Sequence, residues 1–235
     1  MTNTTAPAIH TGYDQARFNM IEQQIRPWEV LSPQVLELLT RIHREAFVPA
    51  AHRALAFADM ELPLTHPAME GQCMLAPKVE ARLLQELDLK PTDKVLEIGS
   101  GSGHMAALLA SLAASVVSIE IDPVLANTAR ANLRNAGITR VEVKHADATA
   151  QGFAACGAHG QFDAILLSGS VAEIPPALLA LLEPGGRLAA VVGHEPMMRA
   201  TTVTRIGDAS FQTVQPWDTV APRLLNFPEP SSFRF

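Results

Sequence analysis

Val95-Leu96-Glu97-Ile98-Gly99-Ser100-Gly101-Ser102-Gly103 is the stretch on which the reading of this chain turns. Its first residues are an apolar run broken by a single acid, and Lys94–Ile98 reads as a strand. Glycine then recurs at every second position, and Met105–Ala113 continues as an apolar helix. Glycine permits positive φ and lets a ligand approach the backbone closely. The first amides of a helix offer donors to a polar ligand. The spacing is GxGxG. A dinucleotide fingerprint would carry its third glycine at position 104, where this chain has His104, and this counts against a nicotinamide oxidoreductase.

Outward from this turn, short apolar runs alternate with helical segments. Val116–Ile121, Val141–His145, Phe162–Leu167 and Arg187–Val192 read as further strands, and Pro123–Ala136 and Pro176–Leu182 as helices. Such alternation, with nearly continuous Val/Ile/Leu strands, predicts a mostly parallel sheet with helices on both faces. Thr201–Ile206 and Phe211–Gln215, joined around Gly207-Asp208, read as a terminal antiparallel pair. Upstream, the first dozen residues read as a loose tail, and Tyr13 to Leu89 is mainly helical. Ser32-Pro33 is a helix start, serine as N-cap and proline in the first turn. Val35, Leu36, Leu38, Leu39 and Ile42 follow on one face, and Val79, Leu83, Leu84 and Leu87 form a second stripe. Pro63, Pro67 and Gly71 mark an irregular segment between Leu62 and Pro77. The expected organisation is residues 1–90 as a tail and helical cap on the substrate side, and residues 91–235 as the sheet domain, in one compact unit.

Two acids lie in phase with the glycines. Glu120 ends the second strand, seventeen residues beyond Gly103, where a carboxylate can accept from both hydroxyls of a ribose. Asp147 follows the third strand, where an acid suits the exocyclic amine of an adenine. In open α/β sheets ligands bind beyond the carboxyl ends of the strands. Gly99, Ser100, Gly101, Gly103, Glu120, Ile121, Asp147 and Ala148 are therefore the expected cofactor residues. Glu97, a charge inside the first strand, is assigned a structural role on the cofactor side, matched to a sulfonium or an amino group.

Composition narrows the partners. The chain has 235 residues, 48 % of them hydrophobic, and a formal net charge of −6. A surface of that sign repels phosphate backbones, so nucleic acid is not the expected partner. Its two cysteines, Cys73 and Cys156, form no CxxC pair and no zinc-spaced cluster, so no metal is expected, and both read as free thiols. The N-terminus lacks a basic and an apolar signal region, and Met105–Ile119 is shorter than a membrane span. These features predict a soluble cytoplasmic protein with no membrane contact, monomeric or homodimeric.

Together the motifs resemble class I methyltransferases, and more closely the protein-L-isoaspartate O-methyltransferase family. The resemblance runs from about Arg17 to Gly193. It is carried by Met20-Ile21-Glu22-Gln23-Gln24, Arg44-Glu45-Ala46-Phe47-Val48-Pro49, Ala56-Phe57-Ala58-Asp59, Leu62-Pro63-Leu64, Gly71-Gln72, the Val95–Gly103 turn, Ala172-Glu173-Ile174-Pro175-Pro176-Ala177-Leu178 and Leu182-Glu183-Pro184-Gly185-Gly186-Arg187-Leu188. It implies a Rossmann-like seven-stranded sheet with an added N-terminal helical segment. It also implies S-adenosyl-L-methionine as cofactor, S-adenosyl-L-homocysteine as product, and methylation of isoaspartyl carboxylates in damaged protein. One departure matters. After Gly71-Gln72 the family continues Thr-Ile-Ser, the serine being its active-site residue, whereas this chain has Cys73-Met74-Leu75. With Leu75 there, no catalytic side chain is assigned. The expected substrate-side residues are His66, Cys73, Met74, Leu75, Ser168 and Ser170. The alternatives are another small-molecule or peptide acceptor on the same fold, or a cofactor-binding protein without turnover.

Overall fold

The computed structural model describes residues 12–65, 67–69, 71–153 and 160–229. Helix α1 (Gly12–Met20) runs into a π-helical turn at Ile21–Ile25 and a 3-10 turn at Arg26–Trp28. Ser32 caps α2 (Pro33–Arg41) through a bond from the Val35 amide to its Oγ, and Val35, Leu36, Leu38 and Leu39 are buried. The expected irregular segment contains a short antiparallel ladder. It joins β1 (Leu62–Pro63) to β2 (Cys73–Met74) and pairs Leu62 with Met74. Helix α3 (Pro77–Glu86) follows, and stacks Lys78 on the Trp28 ring at 4.0 Å.

The main sheet then builds from β3 (Lys94–Ile98), α4 (His104–Leu112), β4 (Ser115–Glu120), α5 (Pro123–Asn135), β5 (Val141–His145), α6 (Ala148–Gln151), β6 (Phe162–Val171), α7 (Pro176–Leu179), β7 (Leu182–His194), β8 (Met197–Arg205) and β9 (Phe211–Asp218). Seven strands lie in the order β5-β4-β3-β6-β7-β8-β9. The first five are mutually parallel, and β8 and β9 are antiparallel to their neighbours. This is the expected Rossmann-like architecture. From β3 the chain winds outward to β5, then crosses to β6 on the other side of β3. The carboxyl ends of β3 and β6 therefore flank the point where strand order reverses, the natural mouth of a ligand cleft.

Successive side chains of β3 serve opposite faces. Val95 joins the core that packs α2, α3, α4 and α5, with Leu39, Leu84, Leu108 and Leu133. Leu96 joins the core on the other face, with Ile119, Ile165, Leu178 and Leu188. Several boundaries differ from the sequence pattern: β7 starts at Leu182 rather than Arg187, β8 at Met197 rather than Thr201, and β9 runs on to Asp218. Helix α7 stops at Leu179 because Leu182 already pairs with Phe162, and β6 runs four residues past Leu167, to Val171. No described helix is long and apolar enough to cross a membrane.

Candidate cofactor and active site

The glycine turn leaves β3 with Gly99, Gly101 and Gly103 all at positive φ (+95°, +51° and +83°), a region that side chains with a Cβ disfavour. The three have different reasons to be glycine. A Cβ on Gly101 would lie 3.0 Å from Leu64 Cδ1, and one on Gly99 3.0 Å from Leu224 Cδ2, both across the cleft. On Gly103 it would meet the Ala129 backbone at 3.2 Å. Gly103 therefore lets α4 and α5 approach each other, and it does not line the cleft.

That cleft is bordered by the turn, by the ends of β4 and β5, and by a C-terminal strap. Of the expected cofactor residues, Gly99, Gly101, Glu120, Ile121, Asp147 and Ala148 line it. Glu120 is held there from two sides. Its Oε2 accepts from the Gly101 amide at 2.8 Å and its Oε1 from the Asp122 amide at 3.0 Å. Burial raises its pKa above the ordinary value, although both amides favour the charged form. Each oxygen keeps a lone pair for a further donor. Asp147 caps α6: Oδ1 accepts from the Thr149 and Ala150 amides at 3.0 and 3.1 Å. Its Oδ2 accepts from Asn226 Nδ2 at 2.7 Å.

Glu97 and Ser100 sit behind the cleft. Glu97 is fully buried and accepts from Ser118 Oγ at 2.5 Å and Ser168 Oγ at 2.8 Å, which ties β3 to both neighbouring strands. Ser100 Oγ lies 2.5 Å from Ser118 Oγ and extends the same chain into the turn. Burial pushes the Glu97 carboxyl up to about 7, against the pull of the two serines.

On the substrate side, Cys73 and Ser168 line the cleft and also a second, smaller cavity. Met74 and Leu75 line only the second. The Cys73 thiol is pushed up to about 12 by burial and then by Glu61, 3.7 Å away, so at neutral pH it carries its proton. Ser170 lines neither cavity. It is buried, and the strap bonds to it: its amide donates to Pro222 O at 2.7 Å and its carbonyl accepts from Leu224 N at 2.9 Å. His66 and Cys156 lie outside the described residues.

Sequence reasoning missed the strap. Arg223, Leu224, Leu225 and Phe227 all border the cleft, and Phe227 also joins the core of that sheet face. They belong to no helix or strand, so no periodicity marks them. Gln72 also borders the cleft and donates to Asp122 Oδ2 at 3.0 Å.

An adenosyl amino acid fits this donor set. Gly99 and Gly101 line the cleft with main chain alone, and an acid stands at the end of β4 and another at the end of β5. Comparison with known proteins runs the same way. The chain is 42 % identical over 177 residues to a protein-L-isoaspartate O-methyltransferase of Methanoculleus marisnigri, which covers 75 % of this chain and 77 % of that one. It is 38 % identical over 195 residues to the Koribacter versatilis protein of that name, covering 83 % and 84 %. A crystal structure from Plasmodium falciparum shares the fold with a TM-score of 0.69 at 18 % identity, covering 91 % of this chain and 99 % of the other. That protein is described as a protein-L-isoaspartate O-methyltransferase in complex with S-adenosyl-L-homocysteine. The family model for protein-L-isoaspartate(D-aspartate) O-methyltransferase matches residues 15–220, nearly the whole of the described fold, and the chain belongs to that family.

Proposed function

We propose that this chain is an S-adenosyl-L-methionine-dependent methyltransferase that O-methylates isoaspartyl carboxylates in protein or peptide, a protein-repair activity of the cytoplasm. The observation that carries the reading is Glu120, held over the cleft by the Gly101 and Asp122 amides. In this reading Glu120 takes the ribose hydroxyls, Asp147 the adenine amine, and Gly99, Gly101, Ile121 and Ala148 the surface between them. Glu97, Ser100 and Gly103 act from behind, holding the strand ends and the turn in register. The adenine amine shares Asp147 Oδ2 with Asn226.

When bound, the cofactor supplies a methyl group already activated by its sulfonium. A carboxylate acceptor is ionised at neutral pH, so the site needs no general base. This chain's residues have to hold the two reactants close and aligned. Cys73, Met74, Leu75 and Ser168 form the acceptor side, the first three presented by the cap of residues up to 90 and Ser168 by β6.

Incubation with an isoaspartyl peptide and the cofactor tests the reading. The methyl ester formed is labile and should release methanol, whereas the matched aspartyl peptide should release none. No methanol at high enzyme concentration, with cofactor binding intact, would sink the isoaspartyl assignment. A second acceptor class is favoured by one observation: the family's serine position holds Leu75, only 5 % exposed and on the second cavity. Transfer from labelled cofactor to other peptide or small-molecule acceptors in the same assay would reveal it.

A further inference from the structure

A groove lies apart from the cleft and the second cavity and shares no lining residue with either. Helix α3 supplies one wall of it. Trp28, Met60, Met198, Trp217 and Val220 bring apolar surface to it from other parts of the chain. Three of these are well exposed for such side chains, Trp28 at 46 %, Met60 at 45 % and Val220 at 49 %. Apolar surface gathered and left open in this way marks an interaction site.

The charged side chains of the groove have partners. Lys78 stacks on the Trp28 ring and pairs with Asp59 at 2.9 Å. Arg82 lies 4.7 Å over the Trp217 ring and pairs with Glu29 at 2.7 Å. Asp218 pairs with Arg199 at 3.0 Å, and Glu61 lies against the Cys73 thiol. Both cations that line the groove are thus neutralised, and their stacking helps to hold the two indoles in place. What the groove offers is preformed apolar surface, which an apolar side chain can cover with little ordering cost on the protein side.

The β1–β2 ladder joins this groove to the acceptor side. Leu64, Gly71 and Cys73 border the cleft at one end of the ladder, where the Leu64 amide donates to Gln72 O at 2.9 Å. Met60, Glu61 and Ala76 border the groove at the other end. From Leu64 back to Glu61 is about 10 Å at the rise of an extended strand. Chain that flanks a reacting residue has to leave the cleft, and the ladder leads it to surface that is open, apolar and already in shape. We propose that the groove seats an apolar side chain of the acceptor polypeptide, about three residues along the chain from the isoaspartyl residue in the cleft. The proposal rests on the isoaspartyl reading above.

A leucine scan of an isoaspartyl peptide tests this with the full chain. The host peptide is glycine and serine around one isoaspartyl residue, and a single leucine is placed in turn at each position up to four residues to either side. Leucine near the third position on one side should raise kcat/KM over the host by about fivefold or more, through KM, as expected for apolar contact made equally before and during transfer. Two altered chains then locate the contact: Trp28→Ser, and Met60→Ser combined with Val220→Ser, all at well exposed positions. In both, the leucine and host peptides should turn over alike. A gain that persists in both altered chains overturns the proposal. So does a flat scan on a host that is methylated. A flat scan together with a wild-type dimer that Met60→Ser with Val220→Ser dissociates, seen by sedimentation, also overturns it and gives the groove to a second copy of the chain. If neither the host nor any leucine peptide is methylated, the isoaspartyl reading itself fails, and this inference with it.

Discussion

At the scale of single residues, the acids of this site differ in what they do because they differ in what surrounds them. Glu120 and Asp147 face the cleft, whereas Glu97 is sealed beneath it with only hydroxyls for company. Burial raises the Glu97 carboxyl to about 7 from an ordinary 4.5. Between those values the folded chain binds the proton more tightly than the unfolded chain does. Stability from this residue is therefore present below about pH 4.5 and falls as pH rises through about 7, by on the order of 3 kcal/mol in all. Glu97→Gln keeps an acceptor for a serine and removes the titration. The stability of the variant relative to wild type should climb from pH 4.5 to 7 and level off above, as measured by urea unfolding across that range. A difference that is flat in pH would show that Glu97 does not titrate there. That Glu120 and Gly101 would come together at the strand ends was legible in the sequence because strand-end acids and glycine spacing are local signals. The pairing of His104 with Glu80 was not, because the two are twenty-four positions apart and only the fold brings them together.

At the scale of elements, the same contrast holds. The strands from β3 to β6 and helix α5 follow from alternation and apolar runs, since each is buried on the faces its pattern prescribes. The start of β7 was hidden, because Glu183-Pro184-Gly185-Gly186 interrupts its apolar run just after the Leu182 pairing to Phe162. Gly103 was legible as a glycine but not for its reason, which is the contact between α4 and α5. Gly103→Ala would place a methyl 3.2 Å from the Ala129 backbone and force an alanine to φ +83°. The combined strain and crowding should cost about 2–4 kcal/mol, read from urea unfolding. Affinity for S-adenosyl-L-homocysteine at saturating fold should change little. A neutral substitution would mean that the helices yield without cost.

At the scale of the whole molecule, the cleft is closed by sequence from both ends of the chain around a sheet that supplies its floor. Leu64, Gln72 and Cys73 come from the N-terminal part, and Arg223 to Phe227 from the strap. The strap crosses Ser170 through main-chain bonds and reaches Asp147 through Asn226. A chain ending at Ala221 keeps every strand of the main sheet but loses this wall. It should melt cooperatively and yet bind S-adenosyl-L-homocysteine at least about tenfold more weakly by calorimetry. Undiminished affinity would show that the strap only decorates the site. A different consequence follows from Arg44, whose guanidinium holds the carbonyls of Ala56 and Leu75 at 3.0 and 2.8 Å. Those are main-chain atoms, present whatever amino acid occupies position 75. The scaffold thus anchors the position without constraining its chemistry: a substitution at residue 75 changes what the second cavity presents, while the loop that carries it stays where it is.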